Sequence, residues 1–494
     1  MSWLKTSIIN GQKSIFLGSL LVVIIVRLLI YIWLNSHGYF YGIPWDSFSR
    51  TLLSYDWAQH PFFAPSDGYW LPLQFWLVGS LYFLIQHWDP TSNILVPVVV
   101  NNIFFLGSIV IIYQFCLKIT GRVTVGLLAA LLAVIFAGDV FVTYSALSEP
   151  ILIFLILLAG YQFYSFYNNG IRRPRLQFIL FGFTGLFAAA THYIGWFLSG
   201  FLVLSLFPFI YRSIFKREIS KLAFSTLGVI LCIIMPTLWL LNNYLTWGNP
   251  LHPIQFARQM QADYIGQMSF FTRFLVTPKV IIKQFYPVII PGFLATLFLL
   301  IKKPKILLFM TPAVFVLAMI WLSTWFALSA PYQEPRYLVF ICWAAIPVIA
   351  ITLDYLFNFK KQWLTVLLIL ILIFMGLLNL RQISSFKNSF NNDVKSVAYL
   401  TKDWFTGHPD TGKVFIVQDS FAETGVIPVI SGYPNRIIIL NIGDIKTAYS
   451  DPAAFFNQRS KVWMCVVKDK TLAADARQEG LKVDQIGIYF MIQP

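Results

Sequence analysis

Tyr69-Trp70-Leu71-Pro72-Leu73-Gln74-Phe75-Trp76-Leu77-Val78-Gly79-Ser80-Leu81-Tyr82-Phe83-Leu84-Ile85-Gln86-His87-Trp88 is the stretch on which the topology turns. It is long enough to cross a bilayer, for which about 20 apolar residues suffice. Eleven other runs meet the same test: 14–34, 93–115, 124–137, 149–167, 176–191, 193–211, 222–245, 284–301, 305–327, 337–357 and 362–380. If 69–88 does not span, five basic loops fall on one side with the N-terminus: 118–122, 172–175, 212–221, 302–305 and 360–361. Positive loops stay cytoplasmic, so this parity is the favoured one. The stretch is also rich in Trp, Tyr and Gln, which suits a helix lying in the headgroup layer. Residues 35–92 then form one external loop with two juxtamembrane helices, near 45–58 and 70–86.

The composition agrees with a membrane protein. Hydrophobic residues make up 58% of 494 and charged residues 12%, against roughly half and a quarter in soluble domains. The net charge of +15 is accounted for by the short basic loops, and nucleic-acid binding is not implied. The run 14–34 is too long for a signal-peptide core and reads as an uncleaved anchor with a cytoplasmic N-terminus. The fold expected is a mostly α polytopic protein of the cell membrane with about 11 transmembrane helices. Its membrane domain covers 1–380. Residues 381–494 carry no span and read as a small soluble α/β domain, placed outside by eleven spans. Other expected external pieces are a loop at 138–148, the turn 191–195, the long loop 246–283 and 329–336.

Cys116, Cys232 and Cys342 lie in apolar runs and Cys465 in an expected strand, with no metal or disulfide spacing. No His-x-x-x-His, Asp-x-Asp, P-loop or dinucleotide glycine motif is present. No cofactor and no metal site is implied; the sequence does not bear on a free divalent ion. Energy must therefore arrive with the substrate.

Candidate chemistry lies at the outer ends of spans. Asp46, in Gly42-Ile43-Pro44-Trp45-Asp46-Ser47-Phe48-Ser49-Arg50, can serve as a general base at the membrane surface or simply begin a helix. Asp56 lies about 80° from it around one helix. Glu149, before Pro150, opens a span; an acid there suits the helix dipole, and an ionisable group facing protein at that depth is also a functional candidate. Arg336 in Pro335-Arg336-Tyr337 can grip a phosphate through paired hydrogen bonds or anchor the interface beside Tyr337. Arg27, inside the first span, can snorkel outward or line a cavity. His192 and Tyr193 occupy a tight turn between two spans.

In this order and on this side, the motifs resemble those of the GT-C superfamily of membrane glycosyltransferases, in particular its protein O-mannosyltransferase and aminoarabinose-transferase-like branch. Four features carry the resemblance over roughly 14–357: Trp45-Asp46 followed by Tyr69-Trp70-Leu71-Pro72-Leu73; Leu147-Ser148-Glu149-Pro150; Asn243-Tyr244 leading to Gly248-Asn249-Pro250-Leu251; and Pro335-Arg336-Tyr337. Two features depart from it. Ser47 stands where the family often has a second acid, and Thr191-His192-Tyr193 where many members have Arg or Lys. The resemblance implies a polyprenyl-phosphate sugar as donor and transfer on the extracytoplasmic face to a protein, lipid or glycan acceptor. It casts Asp46 and Glu149 as catalytic, with Arg336, His192, Tyr193, Arg27, Asp56 and Tyr337 binding substrate. Two other classes fit the composition: a transporter or flippase of a lipid-linked substrate, and a non-catalytic membrane assembly factor.

Overall fold

The structure is a computed structural model that describes residues 2–36, 46–61, 70–85, 90–168, 174–265, 268–328, 334–357, 374–383, 392–409, 413–418, 421–441, 463–467, 470–478, 480–486 and 488–493. Helices dominate. The first, α1 (Ser2–Ser36), is followed by α2 (Asp46–Gln59) and α3 (Pro72–Ile85), then α4 (Pro90–Thr120), α5 (Val123–Val134), α6 (Ala137–Thr143) and α7 (Glu149–Asn168). Next come α8 (Pro174–Thr191), α9 (Tyr193–Phe215), α10 (Ile219–Trp247), α11 (His252–Ile265), α12 (Phe270–Lys302), α13 (Thr311–Trp325) and α14 (Val339–Phe357).

Among the described residues, seven helices are long and apolar enough to cross a membrane, or eight if the bent α5–α6 pair is one span. The helices α3 and α13 and the stretch Arg175–Thr191 of α8 are apolar but shorter. At 14 residues, α3 is about 21 Å long, short of a hydrocarbon core of about 30 Å. It lies against α2 and buries Pro72, Gln74, Phe75, Val78, Gly79 and Tyr82. The expected run 362–380 falls largely outside the described residues, which resume as helix at 374–383 (α15).

The core forms around α14, the most enclosed of the long helices, which packs on α12, α5, α4 and α7. Close approach is set by small residues. A Cβ at Gly160 of α7 would collide with the Phe309 carbonyl, so glycine there lets α7 touch the 3-10 turn Pro304–Phe309. The aromatic rings of Phe115 and Phe309 then stack at 4.1 Å.

Within the long loop expected at 246–283, residues 255–264 read as an amphipathic helix, and α11 is that helix. Two expectations about loops need correction. The connecting loop is shorter than expected, because α10 runs on to Trp247 and α12 begins at Phe270. Pro278, Pro287 and Pro291 lie inside α12, and it bends at Phe285, where φ is −124° and ψ is 16°. Proline kinks a helix without always ending it, and the run read as starting at 284 starts about four turns earlier. Likewise 138–148 is not all loop, because α6 occupies Ala137–Thr143 at 64° to α5.

This break depends on Arg27. Its guanidinium pairs with Asp139 of α6 and donates to the Val134 carbonyl at the end of α5, 3.1 Å, and to Thr143 Oγ1, 3.0 Å. Trp343 Nε1 donates to the same Asp139 carboxylate at 3.0 Å. Backbone groups freed by a break in a membrane helix must be satisfied inside the protein, and Arg27 does so for α5.

After α15 come α16 (Asn392–Gly407), β1 (Lys413–Gln418), α17 (Phe421–Ser431), β2 (Ile437–Asn441), β3 (Trp463–Val467), α18 (Lys470–Gln478), β4 (Lys482–Ile486) and β5 (Tyr489–Gln493). The strands make one sheet in the order β2-β1-β3-β5-β4. β1 is parallel to β2 and β3, and β5 is antiparallel to β3 and β4. Val394, Val397, Val426, Ile427, Tyr489 and Met491 share an apolar cluster with Phe48 of α2 and Val98 of α4. The sheet layer therefore sits at the α2 end of the bundle. Asn435 Nδ2 donates to the Tyr55 hydroxyl across this junction at 3.1 Å.

Replacing Asp139 with Ala leaves Arg27 as a buried unpaired charge, and the expected loss is about 3–5 kcal/mol. Thermal unfolding of the purified protein in detergent measures it. The double variant Arg27→Met/Asp139→Leu should recover most of the stability.

Candidate active site

Three elements far apart in the chain deliver acids to one arginine. Asp46 is the first residue of α2 and Glu149 the first of α7. Arg336 lies in the 3-10 turn Pro335–Leu338 that leads into α14. An acid at a helix start faces the positive end of the dipole, which explains both acids' positions locally. Arg336 Nη2 donates to Asp46 Oδ2 at 2.5 Å. Its Nε lies 3.5 Å from Glu149 Oε1 and 2.5 Å from Glu334 Oε2. The same Nη2 also reaches the Tyr337 hydroxyl at 2.8 Å. The Arg336 side chain is 5% exposed, that of Glu149 4% and that of Asp46 33%. Asp46 thus opens to the outside while Arg336 and Glu149 stay enclosed.

Arg50, one turn along α2 from Asp46, joins this group. It is buried and stacks over the Trp70 ring at 4.1 Å. Its Nε and Nη1 find no hydrogen-bond partner among the described residues, and neither does Glu149 Oε2. Burial draws Arg50 below the usual arginine value, and the charges of Glu149 and Asp46 act against that. A buried guanidinium with idle donors is an anion site with geometry to spare, because its fork matches phosphate oxygens. Burial also raises the Glu334 carboxyl. Arg336 opposes the rise, and Asp46 and Glu149 add to it.

His192 closes one side. It caps α9, its Nδ1 accepting from Ile194 N at 3.1 Å, so the neutral ring carries its proton on Nε2. The ring lies 5.3 Å from that of Tyr337. Burial, then Arg50 and Arg336, pull His192 down to about 3. It is a neutral donor at physiological pH.

The structure thus brings together Asp46, Glu149, Arg336, Tyr337 and His192. Tyr193 sits edge-on to Trp196 and Trp239, with ring centres 5.6 and 5.4 Å apart. Asp56 is exposed toward the far end of α2. Arg27 is engaged by Asp139 and carries no free charge to the cluster. Arg50 and Glu334 were not singled out by sequence reasoning, although Arg50 stands at the i+4 position from Asp46, where helix side chains meet. Among the described residues no three His, Cys, Asp or Glu side chains form a metal-holding group; the positive charge between the carboxylates is Arg336 itself.

The arrangement of the helices and the sheet over nearly the whole chain is a fold found among solved structures. Among solved structures, the chain is similar to ArnT from Cupriavidus metallidurans bound to undecaprenyl phosphate, with 13% identity, a TM-score of 0.61, and 96% of this chain and 98% of that chain covered. It is also similar to the apo oligosaccharyltransferase of Archaeoglobus fulgidus, with 12% identity, a TM-score of 0.53 and coverage of 93% and 71%. The archaeal AglB in complex with an inhibitory peptide and a dolichol-phosphate follows at 10% identity, TM-score 0.52 and coverage of 91% and 69%. No protein-family model matches the sequence. No curated protein matches it either.

The position of His192 has a pH consequence. Between its ordinary value of 6.5 and about 3, the unfolded chain binds a proton that the folded chain refuses. Its contribution to stability is therefore present above pH 6.5 and is lost as the pH falls through that window. In thermal unfolding at stepped pH, His192→Asn should show a shallower acid decline than the wild type.

Proposed function

We propose that this protein is an integral-membrane glycosyltransferase that moves a sugar from a polyprenyl-phosphate donor to an acceptor on the extracytoplasmic face. The observation that carries the proposal is the meeting of Asp46, Glu149 and Arg336 beside the buried, unsaturated Arg50 at one end of a GT-C bundle. Two solved structures of similar fold hold a lipid phosphate.

The acceptor hydroxyl attacks the anomeric carbon of the donor sugar. The bond from that carbon to the phosphate oxygen breaks, and the lipid phosphate leaves with the electron pair. Asp46, far more open than Glu149, takes the hydroxyl proton. One displacement inverts the anomeric configuration. Arg50 donates its idle N–H groups to the phosphate as its charge grows, the main electrostatic lever available. Arg336 contributes as well: when phosphate engages it, Asp46 is released from its ion pair and is free to accept the proton. Glu149 holds Arg336 in place, and His192 supplies a neutral N–H at the edge of the site.

Purified protein mixed with polyprenyl-phosphate sugars, and assayed for released lipid phosphate, tests this. Asp46→Asn should lower turnover about 100-fold or more, the usual scale for a general base; wild-type turnover in that variant would refute the assignment. Arg50→Met should act chiefly on the donor, raising its KM and lowering kcat, with acceptor KM little changed. A guanidinium that only packed on Trp70 would give no such split.

A further inference from the structure

A groove of about 600 Å³ lies on another face of the molecule, between α1, α4 and α16. It shares no residue with the Asp46–Arg336 cluster. Its walls are apolar side chains exposed toward the membrane: Leu28 and Ile32 of α1, and Leu95 and Val99 of α4. Its inner end is polar and mostly paired, with only Arg27 Nε lacking a hydrogen-bond partner among the described residues. The Tyr31 hydroxyl bridges Asn102 Oδ1 and Thr143 Oγ1 at 3.0 Å each, and Arg27 is paired with Asp139. Its outer rim is different. There Lys402, half-buried on α16, overhangs the groove beside Tyr144 and Asn35. Lys402 forms no ion pair among the described residues. A cleft with lipid-facing apolar walls and a single unmatched cation at its mouth is complementary to one molecule class, a hydrocarbon chain ending in a phosphate.

We propose that this groove binds one anionic membrane phospholipid, its acyl chain between α1 and α4 and its headgroup phosphate under Lys402. The lipid adds to a junction where α17 already packs on α4. α16 packs on α17, and α17 packs on α2, the helix that carries Asp46 and Arg50. A bound anionic lipid therefore fastens the sheet layer to the membrane helices and steadies α2 from behind. An attractive pairing of lysine with anionic headgroups is worth roughly 1 kcal/mol near the surface, so reversing the charge costs about tenfold or more in affinity.

The test uses the full-length protein in nanodiscs of phosphatidylcholine with or without phosphatidylglycerol, and counts lipids retained on release by native mass spectrometry. The wild type and Lys402→Arg should each keep one phosphatidylglycerol in preference to phosphatidylcholine. Lys402→Glu should reduce phosphatidylglycerol retention about tenfold, and Val99→Trp, which fills the groove, should reduce retention of both lipids. Equal retention of the two lipids by the wild type would overturn the proposal, as would undiminished phosphatidylglycerol on Lys402→Glu. The readout is binding, so a failure of sugar transfer leaves it standing, and its own failure leaves the transfer reaction untouched. Lys402 belongs to no part of the catalytic cluster, and Lys402→Glu should retain transfer in detergent, where no bilayer supplies the lipid.

Discussion

A charge held away from water must be neutralised nearby, and much of this structure is arranged around two arginines that obey that rule. Arg336 gathers Asp46, Glu149 and Glu334, and by doing so joins the starts of α2 and α7 to the start of α14. Remove the guanidinium and three carboxylates, one of them fully enclosed, repel one another. Remove one acid and the guanidinium keeps the others. The cluster is therefore tolerant of a change in one carboxylate and intolerant of a change at its centre.

Arg27 obeys the rule by different means. It turns inward to Asp139 and to the carbonyl that α5 leaves open where it bends into α6. The ion pair, the Trp343 indole and the Thr143 hydroxyl form a closed polar knot inside an apolar bundle. Buried pairs of this kind add little net stability compared with apolar packing. What the knot fixes is direction: it sets the angle of α6, which leads to Glu149.

Several features of the fold were legible before the structure. Pro72 marks the start of α3, and the apolar run after it is legible as a helix near 70–86, observed as Pro72–Ile85 packed on α2. Glu149 and Arg336 are legible because each sits where an apolar run begins, and Asp46 because it opens the polar helix that follows the first span. Other features were hidden for physical reasons. Arg27 and Asp139 each look like isolated charges, since nothing local in a sequence shows that two helices will cross there. Arg50 is legible only as the residue one turn from Asp46; its burial comes from Trp70, which arrives from a different segment. The first part of α12 was hidden because Arg273, Lys279 and Lys283 interrupt the apolar pattern there.

Gly425 of α17 presses against α2 so closely that a Cβ there would lie 3.0 Å from that of Phe48. A bulkier side chain at position 425 therefore pushes on the first turn of α2, so a change made late in the chain reaches the helix that opens with Asp46.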